Sequence, residues 1–158
     1  MAGERGLYAD NFAAWLERQA QLLRARRFEE LDLDNLIEEV ESIRRAEVRS
    51  VEHHARVVIA QLLQLAHSTL GDPRPCWKAT ADSHRDELAT RLTPTLRKEL
   101  ETRIEKIHAR GRAIAATVLE SEGTDEKWLP LKCPYTLAEI LQEGWFPTNV
   151  YGFDRLER

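Results

Sequence analysis

Four ionisable side chains, Glu47, His54, His84 and Arg103, have the types and the spacing of a small binding site. Two imidazoles and a carboxylate are usable ligands for zinc, iron or manganese, and a guanidinium can hold an anion. Each of the four falls on the apolar face of a predicted helix, where an unpartnered polar group is costly to bury. We therefore predict these four as ligand-binding residues. A structural alternative is a buried salt bridge from Glu47 to Arg103 with satisfied histidines nearby.

Other catalytic patterns are missing from the sequence. It contains no G-x-S-x-G, no phosphate-binding P-loop and no dinucleotide fingerprint. A di-iron bundle needs two Glu-x-x-His pairs and two further glutamates. This chain has one such pair, Glu105 and His108, which lies off the apolar face and is predicted to be solvated. No catalytic residue and no cofactor is predicted, and whether the protein is an enzyme stays open, as does the identity of any metal.

Length and composition describe one soluble globular domain. The chain has 158 residues, 18.2 kDa, 42% hydrophobic and 32% charged residues, and no apolar run long enough to span a membrane. Cys76 and Cys133 are far apart and belong to no C-x-x-C pair, so we expect reduced thiols and no zinc site. The net charge of −4 argues against a dedicated nucleic-acid binder. We expect a single domain over residues 1–158 and a cytoplasmic protein.

The sparse glycines and prolines predict long helices. Apolar periodicity and capping residues predict an all-α bundle of about five helices, built on one long second helix that is either continuous or kinked. The predicted helices are 10–26, 35–70, 76–92 and 94–122, with a short fifth helix after the capping box Thr136–Glu139. Residues 124–158 are otherwise predicted to be irregular. Gly111 falls on the core side of the fourth helix, where it would let another helix approach closely.

The second helix raises a question of length. A straight helix over 35–70 would be about 54 Å long, whereas the radius of gyration of a domain of this size is about 15 Å. Either the helix breaks within 44–50, or its free end packs on another subunit. Its apolar stripe includes Val40, Ile43, Val51 and Val58, which we expect to face the core. Because no proline forces a break, the sequence favours a homodimer.

Charge is unevenly distributed along the chain. Residues 29–41 contain seven carboxylates and no Lys or Arg. This run could hold a divalent cation or dock a basic partner, or it could be a solvated helix start. The predicted fourth helix mixes basic and acidic residues, which is typical of a solvated face and gives only weak support for nucleic-acid binding.

Four stretches of the chain resemble, in their residues and spacing, the sequences of one protein family. They are Y8-x-D10-x-F12-x-x-W15-L16 with Q19-A-x-L-L-R24, then L31-D-x-x-N35-L-I-E-E-x-E-S42, then C76-W77-x-A-T80, and finally C133-P-Y-T-L137 with W145-F-P147. In this order they resemble a bacterial family of helical proteins known as domain of unknown function twenty-nine. The family's Leu-Lys-Trp near the end of the long helix is replaced here by Leu63-Gln64-Leu65. The resemblance implies an all-helical bacterial protein and brings no activity, cofactor or catalytic residue.

These observations lead to a ranked functional prediction. We predict a non-enzymatic helical protein–protein interaction module, homodimeric and able to engage a further protein through charged helix faces. The alternative is a metal- or anion-dependent protein whose polar site contains Glu47, His54, His84 and Arg103. A second alternative is weak nucleic-acid association through the fourth helix.

Overall fold

The protein is helical throughout the part of the chain that the structure describes. The computed structural model describes residues 2–153 and contains no strand in that range. The helices are α1 (Ala2–Asp10), α2 (Phe12–Arg24), α3 (Leu33–His67), α4 (Arg74–Arg91), α5 (Pro94–Glu120) and α6 (Leu137–Leu141), with 3₁₀ turns at Phe28–Glu30 and Glu126–Trp128. This arrangement confirms the all-α prediction. The predicted fourth helix corresponds to α5. No helix among the described residues is both long enough and apolar enough to cross a membrane.

Capping residues set several helix ends as predicted. Thr93 accepts a hydrogen bond from the Leu96 backbone N–H, and Pro94 occupies the first position of α5. Thr136 and Glu139 form the predicted capping box of α6. The first predicted helix, 10–26, was expected to begin with Asp10 as its cap, and this was wrong: Asn11 caps α2, because Asp10 ends the additional helix α1.

The chain divides into two compact units, Met1–Glu47 and Val48–Arg158, and α3 contributes to both. In the first unit, Trp15 is fully buried and its indole N–H donates to Asp32 Oδ2 at 3.1 Å. The Tyr8 hydroxyl donates to Glu39 Oε1 at 2.6 Å. These bonds fasten α1 and α2 to the start of α3. The single domain over 1–158 stays a prediction.

The second unit has the larger apolar core. Its buried residues come from the later part of α3 and from the helices that follow it. On α3 they include Val51, Val58 and Leu62, and on α5 they include Leu100 and Leu119. Burying such side chains contributes about 1.5–3 kcal/mol each relative to leaving them exposed.

Gly111 is where α5 approaches α3 most tightly. A Cβ built at Gly111 would lie 3.0 Å from the Arg56 carbonyl oxygen and 3.1 Å from Ile59 Cγ2. Both distances are shorter than ordinary van der Waals contact, so only glycine fits without a shift of the helices. The predicted close approach is confirmed.

Polar side chains donate hydrogen bonds to the carbonyl groups at the C-terminal ends of two helices. The Asn149 amide donates to Leu65 O at 2.9 Å and to Ser68 O at 3.0 Å, at the end of α3. The buried Arg85 donates from Nε to Ile140 O at 2.9 Å, at the end of α6. The irregular C-terminal segment is thereby held against the core of the second unit.

The long helix is continuous through residues 44–50, so the predicted alternative of a break there is wrong. Its apolar stripe is buried only from Val48 onward. In the first unit, four apolar side chains of α3 are between 55% and 66% exposed: Leu33, Ile37, Val40 and Ile43. We call these four residues the exposed stripe. The expectation that Val40 and Ile43 face the core was therefore wrong.

Candidate functional site

Two of the four predicted site residues contact each other directly. His54 on α3 and His84 on α4 place their Nδ1 atoms 2.8 Å apart, and both rings are half-buried. Such a contact requires that one Nδ1 carries a proton and the other does not. The exposed His53 lies next to this pair, with ring centroids 5.4 Å from His54 and 5.8 Å from His84.

Burial makes this histidine pair resist protonation. Desolvation lowers the pKa of His54 below its ordinary value, and the neighbouring His84 and His53 lower it further. Desolvation also lowers the pKa of His84, an effect that Glu87 opposes. The pair is therefore neutral at pH 7. Among the described residues, no carboxylate or nucleophile hydrogen-bonds to either ring, so the pair can share a proton but has no assembled catalytic partner.

Arg103 is engaged in ion pairs. Its guanidinium contacts Glu52 Oε1 at 2.8 Å and Glu99 Oε2 at 3.2 Å. The hydrogen bond with Glu52 raises the pKa of Arg103. The structural alternative had named Glu47 as its partner, but the carboxylates that Arg103 contacts are those of Glu52 and Glu99.

Glu47 stands at the end of the first unit, on α3, and its side chain is exposed. An exposed carboxylate needs no buried partner, so the burial argument that selected Glu47 does not apply to it. Its role as a ligand-binding residue stays a prediction.

The residues described do not supply a metal centre. No group of three or more His, Cys, Asp or Glu side chains among residues 6–153, whose side chains the structure describes, is arranged to hold a metal ion. Both cysteines are free thiols: Cys76 is exposed and Cys133 is half-buried. Two imidazoles alone fall short of the three protein ligands of a catalytic zinc site. The geometry therefore gives the metal alternative no support within this range.

His108 was predicted to be solvated, and this prediction was wrong. Its side chain is fully buried, and neither ring nitrogen has a hydrogen-bond partner among the described residues. Desolvation lowers the pKa of His108; on α5, Glu105 opposes this shift and Arg112 adds to it. A buried imidazole that stays neutral and unpaired is an energetic cost to the fold.

The segment that covers this face of α5 explains the error. The Cys133 backbone N–H donates to Glu105 Oε2 at 3.1 Å, and Arg112 donates to Glu126 O at 2.8 Å. Leu129, between these anchors, is buried. An irregular segment has no periodicity, so a helical projection of α5 gives no sign that a second face is covered.

Comparison with known proteins identifies a family and nothing more specific. A family model described as "Domain of unknown function DUF29" matches residues 7–146, which is most of the chain. The comparisons with curated proteins and with solved structures found no match.

Proposed function

The chain belongs to the DUF29 family, and from this premise we propose that it is a helical protein–protein interaction module whose first partner is a second copy of itself. One observation carries the proposal, namely the exposed stripe on the first part of α3. Large apolar side chains at positions 33, 37 and 40 follow the helical repeat and lie along one line of the helix surface. Contiguous exposed apolar surface of this kind marks interaction sites.

The order of charges beside the stripe favours an antiparallel pair. Asp34, Glu38 and Glu41 precede Arg44 and Arg45 along α3. A two-fold axis near residues 41–42 brings Glu41 of one copy close to Arg44 of the other, at the edge of the stripe, while Val40 meets Ile43. Parallel pairing would align like charges. An antiparallel pair is also isologous, so it closes as a dimer and does not extend into a fibre.

Within one chain, Arg45 already contacts Glu38 at 2.6 Å and Glu41 at 3.5 Å. All three side chains are exposed, and exposed pairs contribute about 0–1 kcal/mol. Exchanging an intrachain pair for an interchain pair therefore costs little. Burial of the apolar stripe provides the affinity, and the charges set the orientation.

Light scattering after size exclusion tests the proposal. The wild-type chain should be a dimer at tens of micromolar, and Val40→Glu should make it a monomer. The matched control is Leu131→Glu, which places the same charge at an 82% exposed leucine of the second unit and should leave the dimer intact. A wild-type monomer at this concentration would contradict the proposal.

Charge reversal tests the antiparallel orientation separately from intrachain pairing. Glu41→Arg and Arg44→Glu should each weaken self-association, because each puts like charges together across the two-fold axis. Mixing the two variants should restore a dimer, since every interchain pair is then of opposite sign. Within each variant chain, the substituted residue still lies beside residues of the same charge, and mixing does not change this. Only pairing between chains therefore explains a dimer that forms in the mixture and not with either variant alone. Failure of the mixture to form a dimer would overturn the antiparallel arrangement.

A further inference from the structure

A cleft between α3 and α5 in the second unit is lined mainly by positively charged side chains. It has a volume of about 220 Å³, and its lining side chains are Arg49, Glu52, His53, Arg56, Lys106, Ile107 and Arg110. Four of these residues are cations and one is a carboxylate, whereas the chain as a whole has a net charge of −4. The cleft is therefore a local exception to the protein's acidic character.

The single carboxylate of the cleft is already neutralised. Glu52 contacts Arg103, which does not line the cleft, at 2.8 Å, and its side chain is only 14% exposed. In the described part of the chain, no carboxylate forms an ion pair with Arg49, Lys106 or Arg110. Three cationic side chains therefore converge on one concave surface without a counter-charge from the chain.

Arg56 is arranged differently from the other three cations. Its Nη2 lies 2.9 Å from Nδ1 of His53, which orients the guanidinium. Its Nε is buried and has no hydrogen-bond partner among the described residues. The close approach at Gly111, which contacts the Arg56 carbonyl, fixes this part of α3 against α5.

We propose that this cleft binds a phosphate group, either as free inorganic phosphate or on a small phosphate monoester. Arginine presents a planar set of donors that matches tetrahedral oxyanions, and lysine adds a point charge. A phosphate group with two negative charges offsets the excess positive charge of the cleft better than a singly charged carboxylate would. The volume is below the roughly 300–1,000 Å³ of sites for drug-sized ligands, so the cleft suits the phosphate group itself and not a whole nucleotide. A nucleic-acid backbone would need a track of such groups, whereas this is one concave site.

Isothermal titration of the full chain with inorganic phosphate, in a sulfate-free buffer of low ionic strength, tests the proposal. We expect saturable binding at one site per chain with a Kd of about 1 mM or tighter. Arg110→Gln should weaken binding on the order of tenfold, the contribution of one charge-assisted hydrogen bond. The matched control is Arg97→Gln, which removes an exposed arginine of the same helix that pairs with Glu101 outside the cleft. It should change the Kd less than about twofold, the limit set by weak surface electrostatics.

Further titrations separate the two sources of the phosphate group. Glycerol phosphate binding more tightly than inorganic phosphate would identify a monoester as the ligand, and equal affinity would identify the free ion; both results support the site. Equal loss in Arg110→Gln and Arg97→Gln would overturn it, because the attraction would then reflect general charge. No binding of either phosphate compound would overturn it, as would binding of a 20-nucleotide oligomer alone.

Two control measurements show whether a lost affinity for phosphate reflects the cleft itself. Arg110 is exposed, so its substitution should leave the melting temperature unchanged, and a shift would disqualify that variant. Lys106→Gln, also at an exposed residue of the cleft, then provides the same test. Phosphate binding is independent of the proposed dimer: Val40→Glu should abolish self-association and leave the Kd for phosphate unchanged.

Discussion

Replacing His108 with methionine should stabilise the protein, and the gain should grow as the pH falls. The wild-type imidazole is fully buried with both ring nitrogens unpartnered, so the neutral ring already forfeits hydrogen bonds that water would supply. One buried unsatisfied polar group costs about 1–3 kcal/mol. Methionine is close to histidine in volume and adapts to irregular gaps, so we expect His108→Met to gain about 1–3 kcal/mol at pH 8.

The pH dependence follows from the direction of the pKa shift. The pKa of His108 is lower in the folded state than in the unfolded chain, because burial disfavours the imidazolium. The free energy of unfolding is therefore highest, as far as His108 is concerned, above the ordinary histidine pKa of about 6.5, and it decreases as the pH falls toward the folded value. In that window one group changes the free energy of unfolding by at most about 1.4 kcal/mol per pH unit. His108→Met should remove this contribution.

Urea denaturation followed by circular dichroism at pH 5, 6, 7 and 8 measures both effects. The difference between His108→Met and wild type isolates this histidine, since the contributions of the other histidines cancel. The matched control is Ala109→Met, an exposed position on the same helix, where the change should stay within about 0.5 kcal/mol at every pH. The reasoning fails if His108→Met is destabilised at pH 8 and keeps the wild-type loss of stability in acid.

Two further predictions concern the helix crossing and the histidine pair. Gly111→Ala should lower the free energy of unfolding by about 1–2 kcal/mol in urea denaturation, because overpacking against the Arg56 carbonyl and Ile59 outweighs the better helix propensity of alanine; a more stable variant would contradict the close approach. In a proton NMR titration, His54 and His84 should both titrate below the ordinary histidine pKa. His84→Gln should raise the pKa of His54, because it removes the imidazolium that His84 forms on acidification and that disfavours a second positive charge. Since both folded pKa values are lowered, the pair's contribution to stability is present above about pH 6.5 and is lost on acidification. A wild-type His54 that titrates at or above the ordinary value would refute this assignment.

The sequence predicted the helices well because their signals are local. The Thr93-Pro94 cap and the Thr136–Glu139 capping box act within one helical turn, so neighbouring residues specify them. Gly111 could be interpreted for a similar reason, because a glycine in the middle of an apolar helix face is unfavourable unless a second backbone approaches. Helix α1 was missed because it is short and contains Gly3 and Gly6, and glycine is unfavourable within a helix.

The misplaced side chains share one physical cause. Periodicity identifies which face of a helix is apolar, but it does not show whether another element covers that face. Val40 continues the stripe of Val51 and Val58, yet it is 66% exposed because nothing in the described chain packs on it. His108 shows the reverse case, since an irregular segment without periodicity buries a face that appears polar in projection.

Only His54 and His84 of the four predicted residues contact each other, for a related reason. His54 and His84 meet because each lies on the inner face of its own helix, and this property can be inferred from spacing. The partner of Arg103 depends on the axial register of α5 against α3, and Glu52 and Glu47 lie more than one helical turn apart on α3. Register is set by the packing of the whole interface, including the contact at Gly111, so one helix considered alone does not determine it.

Net charge is a similarly incomplete guide to what the protein can bind. The value of −4 argued against a dedicated nucleic-acid binder, but it sums over the chain, and seven of the 27 carboxylates lie in residues 29–41. At 0.1 M salt the field of an exposed charge is largely screened beyond about 10 Å, so a ligand responds to the side chains immediately around it. Around the cleft those are Arg49, Arg56, Lys106 and Arg110, with Glu52 already paired. Phosphate affinity should therefore follow substitutions at these four cations and stay unchanged when an exposed carboxylate of the first unit, such as Glu41, is replaced by glutamine.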